Sequence, residues 1–191
     1  MENIQNTQNK KNVYGHCAWS KQEANLFASE VRLHLQKEKG IDSELFPLID
    51  SFVIKHEIAL TDNLKDAYIC ISLLPATINI VISLGTMKNT AYSAIISNYL
   101  TNINEKSTGG TFLIHDKNDI SYKYIYYVPH RNFCFDGMAY FLDSYNLCIF
   151  SATNRFNDIQ RLCKGEFTKE EKLDILKDTK EMVAVISNLE K

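Results

Sequence analysis

The first residues in this sequence with the right types for chemistry are the neighbours His16 and Cys17. A histidine beside a cysteine could activate a thiolate or supply two ligands of a zinc site. No second Cys or His follows at ligand spacing, and the pair borders a segment from Met1 to Asn12 that is rich in Asn, Gln and Lys. We therefore expect neither a metal site nor a cysteine nucleophile here.

Two further pairs, His115-Asp116 and His130-Arg131, come where a predicted strand meets a turn. Such positions hold exposed polar residues as often as functional ones, and no acid or base can be placed opposite either pair from the sequence. Asp116 and Asp119 flank a turn, where Asp is favoured for its hydrogen bonds to the backbone, and a calcium loop would need more oxygen ligands. The sequence therefore predicts a non-enzymatic protein without catalytic, metal-binding or cofactor-binding residues.

The dipeptide Gly109-Gly110 resembles a phosphate-binding loop only superficially. It precedes a predicted strand, whereas the glycines that hold phosphates open a helix and come with further Gly or Lys. Turn chemistry is the better explanation of these glycines.

The predicted strand from Ile120 to Val128 carries an unusual number of tyrosines. Alternation places Tyr122, Tyr124 and Tyr126 on one side of it and Tyr127 on the other. These rings could belong to an ordinary core, or they could form a platform of the rigid aromatic anchors that are enriched at binding hot spots. The candidate partner-binding residues are these tyrosines and two aromatic residues that follow: Tyr122, Tyr124, Tyr126, Tyr127, Phe133 and Phe135.

Composition argues against several classes of partner. Lys and Arg number 21 against 23 Asp and Glu, and the net charge of −2 gives no reason to expect a nucleic acid or an anionic membrane. The five cysteines are widely spaced without a C-x-x-C pair, and we expect reduced thiols, as in the cytoplasm. The apolar stretch from Ile69 to Gly85 is shorter than the roughly 20 residues of a membrane-spanning helix, and the N-terminal segment lacks the apolar core of a secretory signal.

The spacing of apolar residues and the positions of capping and turn residues predict the elements that would position these residues. Ser20 and Glu23 form a capping box at the start of a first helix, and Gly40 ends it. The pattern after Ile41 allows a strand from Phe52 but also fits a helix near Ile49. The predicted strands are 52–60, 67–74, 77–84, 111–115 and 120–128, and the later helices are 90–103, 136–165 with an Asp136 cap, and 168–189 with a Thr168 and Glu171 capping box.

The order helix, three strands, helix, two strands, helix, helix predicts an α+β fold with an antiparallel sheet of about five strands packed with helices. We expect one domain over residues 15–191, because the chain has the length of a single domain and no low-complexity linker. Residues 1–14 are expected to form a flexible tail.

The second half of the sequence resembles the YbjN-like family of bacterial sensory-transduction regulators, whose fold is shared with type III secretion chaperones. The resemblance lies in a helix that ends with Asn98 to Asn104, the strands Gly110 to Ile114 and Ile120 to Tyr127, and a long helix that closes at Lys164-Gly165. It covers roughly 92–176, and the chain departs from the family in its Asn-rich tail and its long 41–60 link.

The resemblance implies a dimer or an adaptor that holds other proteins, and it carries no catalytic motif. Sequence and resemblance together predict a protein-binding, adaptor or chaperone-like regulatory protein whose partner is an unidentified protein or a second copy in a homodimer. A small domain that senses a metabolite in a pocket between sheet and helices is the alternative. The predicted binding surface is the second hairpin and the helix after it.

Overall fold

A computed structural model of the chain describes residues 18–107, 109–128 and 133–173, with side chains in the last range described from residue 137. The expected tail 1–14, the pairs His16-Cys17 and His130-Arg131, and the last predicted helix beyond residue 173 lie outside the described residues.

Helices and one antiparallel sheet confirm the predicted α+β class. The sheet has six strands in the order β1-β2-β3-β4-β6-β5, one more than the predicted five. The elements in chain order are α1 (Lys21–Lys39), β1 (Ser43–Pro47), β2 (Ser51–Leu60), β3 (Asn63–Ser72), β4 (Thr77–Thr86), a 3-10 turn (Thr90–Tyr92), α2 (Ser93–Glu105), β5 (Thr111–Ile114), β6 (Asp119–Tyr127) and α3 (Phe133–Cys163).

Helix α1 begins and ends where the sequence predicts. The Glu23 amide donates to the Ser20 hydroxyl at 3.2 Å, and the Glu23 carboxylate accepts from the Ser20 amide at 2.9 Å, which completes the capping box. Gly40 adopts the left-handed conformation (φ 63°) that ends the helix. The helix buries one apolar stripe: Ala24, Phe27, Ala28, Val31 and Leu35.

Strand β1 is the element that the sequence did not predict. It pairs antiparallel with β2 at the edge of the sheet, and the Arg32 guanidinium on α1 donates to the Ser43 carbonyl at 2.9 Å. Its side chains are half-buried or exposed, because an edge strand beneath one helix is covered only in part.

One face of the sheet carries all the helices that are described. Alternate residues of β2, β3 and β4 are buried beneath α1 and α3, and α2 packs against β5. The other face, here called the open face, has no described helix on it. One row across its strands, in register from β2 to β6, is Val53, Cys70, Asn79 and Ile125.

Helix α3 packs across the face of the sheet that carries the helices, here called the covered face. Asn89 caps the 3-10 turn, and α2 buries Ile96 and Leu100. Helix α3 begins at Phe133, so the prediction that Asp136 caps it is wrong. The predicted Thr168 and Glu171 capping box is present, with the Thr168 amide 2.7 Å from the Glu171 carboxylate. No helix within the described ranges is both long enough and apolar enough to cross a membrane.

Candidate functional site

The tyrosines of β6 lie at different depths, so neither of the two alternatives that the sequence left open, an ordinary core or an exposed platform, describes all of them. The Tyr122 side chain is completely buried and Tyr126 is 7% exposed, because both lie on the covered face. Tyr124 is half-buried on that face, and Tyr127 is 54% exposed on the open face. Tyr122 and Tyr126 are therefore core residues that a partner cannot reach, whereas Tyr124 and Tyr127 remain candidates.

The hydroxyl of Tyr122 has a structural role. The Gly110 amide donates to it at 2.8 Å, and the Tyr122 ring packs edge-on against Phe112 with centroids 4.8 Å apart. These contacts join the start of β5 to β6 and satisfy a buried backbone donor.

Tyr124, Tyr126 and Tyr140 form a small aromatic cluster where β6 meets α3. The Tyr124 and Tyr140 hydroxyls are 3.4 Å apart, and the Tyr126 and Tyr140 rings meet edge-on at 5.1 Å. The Tyr140 hydroxyl and burial together raise the pKa of Tyr124 to about 12, so the Tyr124 phenol stays neutral near pH 7. Tyr140 itself is 50% exposed, and the cluster therefore reaches the surface.

The edge of the sheet beside this cluster is incomplete. Strand β5 pairs with residues 120–123 of β6 only, whereas β4 pairs with β6 as far as Tyr127. On the side of β5, residues 124–126 of β6 thus have no strand neighbour among the described residues. Such an edge can pair with an added strand.

Two grooves adjoin this incomplete edge and share Gly109. The first, here called the edge groove, has a volume of about 370 Å³ and lies along β5 and β6. The second, here called the helix groove, has a volume of about 270 Å³ and lies between α2, β5 and α3. The edge groove is lined by Gly109, Gly110, Thr111, Leu113, Lys123, Tyr124 and Ile125, and the helix groove by Ile103, Lys106, Ser107, Gly109, Phe112, Leu147, Phe150, Ser151, Asn154 and Arg155.

Large apolar side chains around these grooves are exposed to solvent. Ile125 on β6 is 48% exposed, and on α3 Leu147 and Phe150 are 43% and 64% exposed. Neighbouring apolar side chains at a groove are typical of binding surfaces, whereas single exposed ones are ordinary. Together the edge groove, the helix groove and these side chains form the candidate site.

Sequence reasoning missed Ile125, Leu147 and Phe150. A signal for two of them was present, because Leu147 and Phe150 fall off the buried stripe of α3 that includes Phe141, Tyr145 and Cys148. Ile125 had no such signal, since a strand buried on both faces would show the same apolar residue. The side chains of Phe133 and Phe135 lie outside the described part of the chain.

One pair of described residues has the geometry of an activated nucleophile. The Nε2 atom of His115 lies 2.6 Å from the Ser121 hydroxyl, which is the spacing of a serine and its general base. Ser121 is only 4% exposed, and no described side chain hydrogen-bonds the other nitrogen of His115 to orient the imidazole. Asp119 accepts instead from the Thr86 hydroxyl at 2.5 Å. The pair joins the two strands of the β5–β6 hairpin at its turn end.

The described residues contain neither a candidate metal site nor a thiol activated by a lowered pKa. No group of three or more His, Cys, Asp or Glu side chains there could hold a metal ion. Cys70, Cys148 and Cys163 are free thiols, and burial raises the pKa of Cys148 to about 12, which keeps it protonated.

Comparison of the chain with protein-family models, curated proteins and solved structures found no match. The geometry of the site is therefore the basis for assigning a function.

Proposed function

We propose that this chain is a non-enzymatic binding protein that holds a segment of another protein at the β5–β6 edge, in the manner of an adaptor or chaperone. The observation that carries the proposal is the incomplete edge of β6 beside two grooves, whose lining residues include the exposed apolar side chains Ile125, Leu147 and Phe150. A strand added there would continue the line of β5 and pair with the backbone of residues 124–126.

Side chains of such a strand would have surfaces to contact on both sides of the sheet. Alternate residues point to opposite faces, so one set would meet Ile125 on the open face and the other would meet Tyr124 and the exposed side chains of α3. Backbone pairing supplies affinity in this arrangement, and the pockets for alternate side chains supply selectivity.

The resemblance to YbjN-like proteins and type III secretion chaperones agrees with this proposal, because those proteins hold other proteins. The free thiols of Cys70, Cys148 and Cys163 agree with a reducing compartment, and we place the protein in the cytoplasm as part of the same proposal.

Site-specific photo-cross-linking in cells tests the proposal. A benzophenone amino acid replaces Ile125 in one variant and Phe150 in a second. A third variant carries it at Leu26, which is 56% exposed on α1, near the opposite edge of the sheet. We expect Ile125 and Phe150 to cross-link to the same protein and Leu26 not to do so.

The adduct is identified by mass spectrometry. Cross-links from Ile125 and Phe150 no stronger than those from Leu26, or directed at unrelated proteins, contradict the proposed surface. An adduct of twice the chain mass identifies the bound protein as a second copy.

A further inference from the structure

We infer that the segment held at the β5–β6 edge is an extended acidic peptide, in which carboxylates accompany apolar side chains. The inference rests on the proposed function and adds the charge of the partner. It is carried by the ionisable side chains that line the two grooves: Lys106 and Arg155 in the helix groove and Lys123 in the edge groove.

The charge of this surface is opposite to that of the whole chain. Three cations and no carboxylate line the two grooves, although the net charge of the protein is −2. The carboxylates nearest to these cations along the chain are Glu105, Asp119 and Asp158, and none of them lines either groove. Asp158 accepts from the Tyr99 hydroxyl beside Arg155, so Lys106 and Lys123 are the cations on which the inference rests. Among the described residues, the ion pairs are Lys55–Asp66 and Arg161–Glu171, and neither involves a cation of the two grooves. A partner with carboxylates would therefore meet a positive potential at Lys106 and Lys123.

The position of Lys123 relates this charge to strand addition. Lys123 is the last residue of β6 that pairs with β5, opposite Thr111, and Ile125 is the next residue on the same face. A peptide strand that continues the line of β5 would lie beside Ile125, and the diagonal neighbour on that face would be Lys123. A Glu or Asp at that place in the peptide would be within reach of the ammonium group.

A nucleic acid is the other polyanion that a basic, aromatic groove could bind. A peptide is favoured, because three cations are few for phosphate tracking and because an unpaired strand edge offers backbone partners that only a peptide uses.

Binding of defined probes to the full chain tests the inference. The probes are two fluorescent peptides of about ten residues, the length of a long strand, in which valine alternates with glutamate in one and with lysine in the other. We expect the glutamate peptide to bind at least about tenfold more tightly than the lysine peptide and to lose affinity as salt is added.

Charge-reversal variants locate the bound peptide. The double variant Lys106→Glu, Lys123→Glu should weaken binding of the glutamate peptide about tenfold or more, since both groups are on the surface of the grooves. The control is Lys37→Glu, which reverses an exposed lysine in the last turn of α1, beside β1 and β2. Unchanged thermal unfolding of the double variant shows that it is folded.

Several results would overturn the inference. The first is equal affinity for the two peptides, and the second is a loss of affinity in Lys37→Glu as large as in the double variant. The third is tighter binding of a single-stranded oligonucleotide than of the glutamate peptide. The fourth is concentration-dependent self-association that the double variant abolishes. If neither peptide binds but Ile125 still cross-links to one protein in cells, the inference is wrong and the proposed function stands. If both experiments are negative, both are wrong.

Discussion

The Nε2 atom of His56 lies 2.6 Å from the hydroxyl oxygen of Tyr145, and both side chains are buried where β2 meets α3. The other ring nitrogen of His56 is buried without a hydrogen-bond partner among the described residues. In register across the sheet, His56 is followed by Ala67, Ile82 and Tyr122, so no carboxylate faces it along this row. Lys39 approaches the Tyr145 ring at 5.9 Å and would further oppose a positive charge on the imidazole.

We predict that the protein loses stability in mild acid because of His56. Burial lowers the pKa of His56 from 6.5 to about 4 in the folded state. Between these values the unfolded chain binds a proton that the folded chain does not, so the free energy of unfolding falls as pH falls through this window, by about 3 kcal/mol in all. Above pH 6.5 both states are neutral at this residue and the effect is absent.

Urea unfolding at pH 7, 6 and 5 measures this dependence. His56→Gln is the test variant, because its side chain is polar at every pH but cannot be protonated. The variant should be less stable than the native chain at pH 7 and show a shallower decline toward pH 5, and an unchanged decline would assign the acid sensitivity to other groups.

A second prediction concerns the contact between Arg161 and Glu171. The two guanidinium nitrogens of Arg161 donate to the two carboxylate oxygens of Glu171 at 2.8 and 2.7 Å. Arg161 is the main cause that lowers the pKa of Glu171 to about 2, and the Thr168 amide adds to the effect. A carboxyl group whose pKa is lowered by folding stabilises the folded state at pH values above its pKa in the unfolded chain. This stabilisation is lost as the pH falls toward 2.

Glu171→Gln should therefore reduce the free energy of unfolding at pH 7 by about 1 kcal/mol. The effect is no larger because the pair is partly exposed and water screens its attraction. Glu170→Gln is the matched control, since Glu170 is exposed and adjacent. Denaturant titrations at pH 7 and 3 should show that the cost of Glu171→Gln shrinks in acid. A cost that is equal at both pH values, or equal in Glu170→Gln, would show that the pair contributes nothing.

The sequence predicted elements well where one periodicity dominates and predicted the site poorly. Ala24, Phe27, Ala28, Val31 and Leu35 repeat at helical spacing between two capping signals, and the structure confirms α1 from end to end. The sequence did not predict strand β1, because Ser43–Pro47 is short, ends in a proline and is only partly covered at the edge of the sheet.

The site depends on differences in length between neighbouring elements, which a local pattern does not contain. Alternation correctly placed Tyr122, Tyr124 and Tyr126 on one face, but it does not show how deeply each side chain is buried. Tyr122 is completely buried beneath helices, whereas Tyr124 lies beyond the last residue that pairs with β5. Only the register of β5 against β6 shows which part of the edge is incomplete.

We also predict that the two adjacent glycines tolerate substitution differently. A Cβ atom on Gly110 would clash with the Lys123 carbonyl and would lie 2.8 Å from the Tyr122 ring, so Gly110→Ala should destabilise the protein by about 1–3 kcal/mol. A Cβ on Gly109 would be 3.3 Å from the Tyr122 hydroxyl and 3.5 Å from Leu147. We expect Gly109→Ala to change stability by less than about 1 kcal/mol.

Thermal and urea unfolding of the two alanine variants compares them directly. The pair is informative about the site as well, because Gly109 lines both grooves and Gly110 positions the start of β5. Equal destabilisation by both substitutions would show that the turn, rather than the close approach of Gly110 to β6, sets the cost.

The last prediction separates the tyrosines of β6 into core and surface. Tyr122→Ser should destabilise the protein by about 3–5 kcal/mol, because it empties a fully buried site and removes the acceptor of the Gly110 amide. Tyr122→Phe keeps the ring and should cost only about 1 kcal/mol, the loss of one hydrogen bond to a buried donor. Tyr127→Ser should stay within about 0.5 kcal/mol of the native chain, since more than half of that side chain is in water.

Urea unfolding followed by circular dichroism measures all three variants, and the photo-cross-linking assay at Ile125 measures their binding. If Tyr127 belongs to the binding surface, Tyr127→Ser weakens the cross-link without altering stability, whereas Tyr122→Phe alters stability slightly and leaves the cross-link intact. A Tyr122→Ser chain that is as stable as the native protein would contradict the burial of this side chain and return it to the surface platform that the sequence allowed.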